Sequence, residues 1–378
     1  MDIYVLERKV AICEKIGIIE NYKSLIWNPM YYGQGSFEMV VPVTEDNLKM
    51  IKPFNILTRE IDETFENGKR IFKSPMVIRE ISFKYDDEDG AMITVRGVSL
   101  KSHVLGSRVV DDYTILSGNA EAEIYGLMED IFLDLGHSWR EWPGYQNAPL
   151  KGYTETTNIQ LFGENVAEWM EETCRNHRFG WDMNLSISGK TGSYSAVTFE
   201  LYKGVNRTSN QNIVLPVIFS KANDNLINSE YEINYSNYAT NCLVAGTEMP
   251  SSDKKWHIMT DDSPYGVYGQ VPRQDARFET FLDSGISTED YSSVPEYRAA
   301  LNAVGLQQIA QSKTHTFLAE IDPDGMYKLN RDYFLGDIVE VRTEYGINAK
   351  ARIEEIIYAI DENGTSVVPS FGDWEVMD

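Results

Sequence analysis

Two segments near opposite ends of the chain share one β-hairpin pattern. Residues 78–90 (IREISFKYDDEDG) align with residues 353–364 (IEEIIYAIDENG), with one residue fewer in the second turn. In both segments apolar and polar residues alternate up to a polar turn that ends in glycine, which predicts two antiparallel strands joined by a tight turn. The aligned pairs are Ile78 with Ile353, Ile81 with Ile356, Phe83 with Tyr358, Tyr85 with Ile360, and Asp86 with Asp361.

Two explanations fit this repetition. Short alternating patterns arise easily, so two unrelated hairpins could have similar sequences by convergence. An internal duplication of a β-barrel or sandwich would instead carry one hairpin in each copy, each preceded by a strand-like segment (55–61 and 337–346). We favour the duplication and predict that the hairpins occupy equivalent places in two separate barrels rather than in one shared sheet.

The residues between the hairpins include helical patterns. Apolar residues recur at helical spacing from Ile124 to Leu135, with Asn119 as the N-cap and Gly136 beyond the end. A second helix is predicted over about 165–177. A third is predicted to begin at Ser293 and Glu296, which have the spacing of a capping box.

These patterns predict an α+β, mainly β protein built from related β-barrels. Strands at both ends enclose a region of mixed helices and strands, and a Ser-, Asp-, Pro- and Gly-rich stretch precedes the third helix. The predicted units are a first β-barrel over 1–112, an α+β insert over 113–204, and a second β-barrel over 205–378, which a loop-helix segment (250–320) interrupts.

Charge and cysteine content exclude several classes of protein. The 378 residues include 34 Lys and Arg against 58 Asp and Glu, giving a net charge of −24 that disfavours binding to nucleic acid phosphates. Cys13, Cys174 and Cys242 are far apart and odd in number, which suits neither a disulfide framework nor a zinc site. The acidic start and the absence of any run of ~18 apolar residues predict a soluble, unexported chain folded in a reducing cytoplasm.

No pattern of catalytic or metal-binding residues stands out. The histidines lack metal-ligand spacing, and Cys174 and His177 are three residues apart on a predicted helix, where a buried thiol is the simpler explanation. Four acids on or beside this helix are mostly off its apolar stripe and are expected to be solvated rather than a glycosidase pair. The five histidines are His103, His137, His177, His257 and His315, and the four acids are Glu164, Glu168, Glu171 and Glu172.

A cluster of aromatic residues follows the first predicted helix. Trp139, Trp142 and Tyr145 resemble the exposed rings of sugar-binding sites, but packing of the helix against a sheet explains them more simply. The segment GVYG (266–269) lacks the strand-to-helix context of a phosphate loop. The sequence therefore assigns no catalytic, cofactor-binding or metal-binding residue.

Three stretches, taken in order, carry a resemblance to a known family. The first runs from Trp27 to Pro42 and continues through the hairpin into 95–110 (VRGVSLKSHVLGSRVV). The second is 206–246, with Phe-Ser, Asn-Leu and a later Val-x-Gly, and the third contains Gly-Asp-x-Val and a closing Pro-x-x-Gly within 331–372. Together they cover about half of the chain, which resembles the amino-terminal region of the baseplate-hub, or tail-associated, proteins of siphophage and prophage tails.

This resemblance implies two tail-tube-like barrels and a structural role. The family forms a trimeric hub at the distal end of the tail tube, continues its channel and anchors tip proteins. The implied partners are further copies of the chain, the distal tail protein, and tip or receptor-binding proteins; DNA passes through without specific binding. We therefore expect a component of the virion tail tip, assembled in the host cytoplasm and not inserted into a membrane. Larger members carry enzymatic modules after this region, so a sequence that stops at Asp378 is expected to be no enzyme and to bind no cofactor.

Two alternatives belong to other classes. A cell-wall hydrolase or peptidase at the tail tip would need a cleft that pairs a nucleophile or metal with a base. A carbohydrate-binding module would need exposed Trp139 and Trp142.

Overall fold

The computed structural model describes residues 1–9, 12–66, 68–88, 90–133, 139–188, 194–234, 236, 238–249, 254–261, 278–291, 293–310, 315–322 and 325–376. The predicted helix end at Leu135 and Gly136, His137, and the GVYG segment (266–269) lie outside these residues. In the described part of the chain, no helix combines the length and apolar character that a membrane span requires. Strands are the main element, which confirms the α+β, mainly β class.

The amino-terminal part consists of strands and two short helices. The strands are β1 (Ile3–Lys9), β2 (Ile12–Ile19), β3 (Ser24–Asn28), β4 (Ser36–Pro42), β5 (Ile56–Arg59), β6 (Glu63–Glu66), β7 (Lys69–Phe72), β8 (Met76–Asp86) and β9 (Gly90–Ser99). The helices are α1 (Glu45–Met50) and α2 (Leu100–Leu105). Strands β8 and β9 form the first predicted hairpin, in which Phe83 is opposite Ile93 and Asp86 is opposite Gly90.

The central part packs two helices onto a separate sheet. Its elements are β10 (Thr114–Asn119), α3 (Ala120–Phe132), β11 (Tyr145–Asn147), β12 (Thr156–Leu161), α4 (Val166–His177), β13 (Gly180–Ser188) and β14 (Tyr194–Tyr202). The Asn119 side chain accepts the Ala122 N–H at 3.0 Å, so the predicted N-cap of α3 is confirmed. A five-stranded sheet has the order β11-β14-β13-β7-β6. Because β6 and β7 come from residues before 112, this sheet crosses a predicted domain boundary, and the division into domains stays a prediction.

The carboxy-terminal part contains the second predicted hairpin. Its elements are β15 (Ile218–Ser220), β16 (Leu226–Ile233), β17 (Asn241–Glu248), β18 (Lys255–Asp261), β19 (Glu279–Asp283), α5 (Val294–Ala310), β20 (His315–Ile321), β21 (Ile338–Arg342), β22 (Asn348–Asp361) and β23 (Gly364–Val376). The Ser293 hydroxyl accepts the Glu296 N–H at 3.4 Å at the start of α5, as the capping-box spacing predicts. Strands β17, β18 and β19 form a small sheet of their own that packs against α5.

The two hairpins lie in one sheet, and the prediction of separate sheets is wrong. Thirteen of the described strands form this sheet, with the order β16-β20-β23-β22-β3-β4-β9-β8-β5-β1-β2, and with β21 paired to β22 and β15 paired to β21. The joining pair is β3 with β22, through Trp27 opposite Tyr358, Ile26 opposite Ala359, and Leu25 opposite Ile360. Hydrogen bonding between these two strand edges fuses the repeats, which the alternating sequence pattern alone does not encode.

The two ends of the sheet nevertheless repeat the same arrangement of strands. In the amino-terminal half-sheet the order is β3-β4-β9-β8-β5-β1, and in the carboxy-terminal half-sheet it is β16-β20-β23-β22-β21-β15. The corresponding strands also follow one another in the same order along the chain. One difference is that β1 pairs with β5 antiparallel, whereas β15 pairs with β21 parallel. Six matching strands are far more than a coincidence between two hairpins would produce.

The match extends to individual residues. The β8–β9 register shifts between Ile78 and Glu80, and the β22–β23 register shifts between Ile353 and Glu355. These bulges fall at the same place in the aligned hairpins. On the neighbouring strands, Phe37 pairs with Gly97 and Phe317 pairs with Phe371, so β4 and β20 have the same offset from their hairpins. β-Bulges are conserved at fixed positions within protein families, so two bulges at equivalent positions support internal duplication.

Each half-sheet packs around an apolar core of its own. One core contains Trp27, Phe37 and Val95, and the other contains Phe317 and Phe371. A further and larger core lies between the amino-terminal strands and the central sheet and helices. The half-sheets are therefore separate packing units that share a backbone seam.

Candidate functional site

The most distinctive site is the seam, formed by residues 25–27 of β3 and 358–360 of β22. Beyond these paired residues, the Asn28 amide donates to Glu355 Oε1 at 2.7 Å. The Tyr31 N–H donates to the Glu354 carbonyl at 2.7 Å. The contact therefore continues along the bulged part of β22 and is made mainly by backbone groups.

A buried ion pair lies beside the seam. The Arg59 guanidinium donates to both carboxylate oxygens of Asp62, with Nε to Oδ2 at 2.6 Å and Nη2 to Oδ1 at 2.9 Å. Its carbon Cζ lies 5.4 Å from the Trp27 ring centroid and 5.1 Å from that of Tyr358, which brings one cation against an aromatic ring of each half-sheet. The Asn330 amide from the other half of the chain also donates to Asp62 Oδ1 at 3.1 Å. This cluster fixes the two half-sheets relative to each other.

Tyr31 links the seam to the central part of the chain. Its hydroxyl lies 3.1 Å from the carbonyl oxygens of both Arg178 and Tyr202, and burial raises the pKa of this phenol to about 12. Gly180 and Gly336 border the ring, and a Cβ at either position would lie 2.2 Å from it. The close fit explains why glycine occupies both positions.

The strand edges of the sheet that are open within the described residues include one on β8 and one on β16. Residues 83–85 of β8 pair with β9 alone, because β5 reaches only Met76 and Val77. At one end of the sheet, β16 pairs with β20 alone among the described strands. Phe83 is 63% exposed and Tyr85 is 73% exposed, so the first edge also presents aromatic surface. Open edges of this kind are templates for pairing with another chain.

A cavity of about 580 Å³ beside α2 is lined in part by His103. Burial, with a smaller effect of Arg79 and Arg8, lowers the pKa of His103 to about 4. The neutral ring lies with Nδ1 2.8 Å from Arg79 Nη1, and Arg8 covers the nearby Trp142 ring at 4.5 Å. The described lining residues include no hydroxyl or thiol. Its acidic lining residues are Glu7 and Glu141.

The residues considered from the sequence do not come together in one site. Cys174 is buried with Sγ 3.5 Å from Met170 Sδ, and burial raises its thiol pKa, so the thiolate is disfavoured. His177 stacks on Phe179, with the ring centroids 5.7 Å apart. Of the four acids, Glu164, Glu168 and Glu172 are exposed and Glu171 is half-buried. Within the described residues, no group of three or more possible metal ligands occurs.

The aromatic cluster divides between solvent and core. Trp139 is 75% exposed, whereas Trp142 packs against the core and Tyr145 is buried. Trp139 and Trp142 therefore do not form the pair of exposed rings that a carbohydrate-binding module would need. Sequence reasoning missed Arg59, Asp62 and Asn330, because nothing in their spacing indicates that they meet beside the seam.

The fold is shared with solved tail proteins. A prophage MuSo2 43 kDa tail protein from Shewanella oneidensis has a TM-score of 0.57 at 13% identity, covering 98% of each chain. A tail protein from Neisseria meningitidis MC58 has a TM-score of 0.55 at 11% identity, covering 99% of this chain and 96% of that one. A chain of the Francisella PdpA–VgrG complex has a TM-score of 0.52 at 9% identity, covering 100% of this chain and 54% of that one. A search of curated proteins found no match.

A mainly β protein with two fused half-sheets and this set of structural relatives has the fold of phage and prophage tail proteins. The family model for Siphovirus ReqiPepy6 Gp37-like proteins matches residues 3–373. The chain belongs to this siphovirus tail protein family, as its resemblance to siphophage tail proteins predicts.

Proposed function

We propose that this chain forms a trimeric hub at the distal end of a phage or prophage tail tube. Three copies would arrange six half-sheets around a channel and hold tip or receptor-binding proteins below it. In this arrangement each chain supplies two similar units, so the contacts within and between chains are nearly alike. Family membership supports a tail component of the virion, and the trimer and its position are our inference.

The observation that carries this proposal is the repetition of six strands in the two half-sheets. Cyclic assemblies close only when successive joints rotate by equal amounts. Two matching units in one chain allow a threefold ring to present a nearly sixfold face. Such a face can contact both a sixfold tube and a threefold tip.

Partners and charge fit the same role. One structural neighbour is a chain of a complex that contains PdpA and VgrG, which supports contacts with other assembly proteins for this fold. We infer that the corresponding partners here are the distal tail protein and the tip proteins. The net charge of −24 would keep passing DNA from adhering to the channel wall, because phosphates are bound by clustered Lys and Arg.

The mass of the assembled protein tests the trimer. We expect native mass spectrometry to give three copies, either for the chain alone or after the distal tail protein is added. Electron microscopy of the same sample should show a channel through a ring of six similar units. A dimer, or a chain that stays single beside its tail partners, would contradict the hub.

We also propose that the chain has no catalytic activity, because the described lining of the cavity offers no hydroxyl or thiol nucleophile and the Cys174 thiol is buried. Purified protein incubated with Gram-positive peptidoglycan should release neither reducing sugar nor free amine. Release that disappears in Cys174→Ala or Glu141→Gln would establish a hydrolase instead. A variant at an exposed acid away from the cavity, Glu168→Gln, provides the matched control.

A further inference from the structure

The seam inside the chain has a counterpart in which neither strand edge pairs with another described strand. The hairpin alignment places residues 358–360 of β22 on residues 83–85 of β8. The neighbouring strands place residues 25–27 of β3 on 229–231 of β16, because Trp27 is opposite Phe37 just as Tyr231 is opposite Phe317. One matching pair of edges is joined within the chain, whereas the other pair is open among the described residues.

We propose that the β8 edge (83–85) of one copy pairs antiparallel with the β16 edge (229–231) of the next, in the register of the seam. This proposal rests on the hub proposed above and identifies the surfaces that would join its copies. The predicted pairs are Phe83 with Tyr231, Lys84 with Glu230, and Tyr85 with Ser229. Strand addition of this kind takes its affinity from backbone hydrogen bonds and its register from side chains.

The side chains on the two edges suit this register. Within the seam, Tyr358 packs against the cores of both half-sheets. Its counterpart Phe83 is 63% exposed, as is Tyr85 at 73%, so both rings lack the cover that the seam gives to their equivalents. On the opposite face of the strands the register places the Lys84 ammonium beside the exposed Glu230 carboxylate, which is a pair of opposite charges.

The adjacent position shows where the two joints differ. In the seam, Asn28 donates to Glu355. The same alignment matches Asn28 with Glu232 and Glu355 with Glu80, which brings two acids towards each other between copies. Arg96 already contacts Glu80 with Nη1 to Oε1 at 3.1 Å and balances one of these charges. The proposed register is therefore restricted to the three pairs named above.

A disulfide across the central pair tests the register directly. Opposite residues in antiparallel strands have Cα atoms ~4.5–5.5 Å apart, within the range that a disulfide spans. The double variant K84C/E230C should form disulfides between copies under mild oxidation, visible as dimers and trimers on non-reducing gels. The native cysteines Cys13, Cys174 and Cys242 are buried, so the wild-type chain measures the background.

Two matched variants control this experiment. In K84C/E232C the second cysteine is displaced by two residues on the same face, where the distance is too long for efficient bridging. In I26C/A359C the cysteines are opposite each other within the seam, so they should bridge inside one chain and leave its mass unchanged. Bridging between copies that is no stronger in K84C/E230C than in K84C/E232C would overturn the proposal.

The native mass of the wild-type assembly distinguishes a failure of this proposal from a failure of the proposed hub. A trimer that gives no K84C/E230C bridge would refute this pair of edges and leave the hub standing. Disulfide-linked species of four or more copies would support the pair of edges and contradict the closed trimer.

Removal of the exposed rings gives an independent measurement. The variant F83S/Y85S should weaken self-association by about tenfold or more and leave the melting temperature of the chain unchanged, since both rings are exposed in the single chain. Phe65 is similarly exposed, at 72%, but lies on β6 away from both edges, so F65S is the control. Equal association of F83S/Y85S and F65S would contradict the proposal.

Discussion

The Arg59–Asp62 ion pair shows how single residues hold the seam. The side chains are 3% and 5% exposed, and the bidentate geometry satisfies both carboxylate oxygens. Such an ion pair stabilises the fold only when both partners are present, because a buried charge that loses its partner keeps the full cost of desolvation. Replacement of either residue is therefore expected to disturb the position of β5 beside the seam.

Replacement of Asp62 by Ala should destabilise the chain by about 3–5 kcal/mol, because Arg59 is then left buried without its counter-charge. Chemical denaturation monitored by tryptophan fluorescence measures this change. The exposed Lys49–Glu45 pair, 2.7 Å apart, provides the control, and K49A should cost less than about 1 kcal/mol. Similar losses in the two variants would show that the buried pair is not important for the seam.

His103 should make stability depend on pH. Burial lowers its folded pKa from 6.5 to about 4, so the unfolded chain binds a proton more readily between these values. The contribution of the neutral His103 ring to the free energy of unfolding is therefore fully present above pH 6.5 and is lost as the pH falls towards 4. Allowing for its partial exposure, we expect a loss of about 2 kcal/mol, measured by denaturation at pH 7 and pH 4.5. H103Q should remove this part of the pH dependence, and an unchanged dependence would exclude His103 as its source.

At the level of elements, the sequence predicts local structure well and pairing between distant strands poorly. The hairpins, the Asn119 N-cap and the start of α5 at Ser293 depend on residues a few positions apart, and all are present. The pairing of β7 with β13 joins residues more than one hundred positions apart, and no local pattern specifies it. Strand partners are chosen by packing in three dimensions, for which propensity is a weak guide.

The first turn of α3 anchors a distant loop through one carboxylate. Glu121 is buried and accepts the N–H groups of residues 151, 152 and 153 at 2.7, 2.9 and 3.0 Å. E121A should lower the free energy of unfolding by about 3 kcal/mol, because three backbone N–H groups lose a buried, charged acceptor. E123A changes an acid in the same helical turn that is not fully buried, and we expect a loss of less than about 1 kcal/mol. Hydrogen exchange of amides 151–153 would report the released loop, and slow exchange in E121A would contradict this assignment.

At the level of the whole molecule, the sequence indicates the class and the repeated hairpin, but not that both copies lie in one sheet. Alternation predicts one apolar face for each hairpin, and such a face can be covered in separate or in fused sheets, although Phe83 and Tyr85 of β8 stay exposed. The seam is formed by backbone hydrogen bonds between the edges of β3 and β22. Because backbone groups are the same in any sequence, the side-chain pattern does not reveal this pairing. The resemblance to siphophage tail proteins is confirmed by the family match over residues 3–373.

The net charge of −24 should oppose association of the chains. Salt shortens the range of charge repulsion from about 10 Å at 0.1 M to about 3 Å at 1 M. We therefore expect self-association, measured by sedimentation, to strengthen several-fold across this range. Weaker association at high salt would mean that ion pairs, rather than backbone pairing and apolar contacts, dominate the contact between copies.

Tyr31 gives the central part of the chain a mechanical connection to the seam. Its backbone N–H is bonded to β22, and its ring is held between two glycines with the hydroxyl against the central sheet. A load applied to the central part would reach the seam partly through this side chain, together with the Arg175–Glu354 ion pair at 3.3 Å. A protein attached there would pull on the joint between the half-sheets at the same moment as it pulled on its own attachment point.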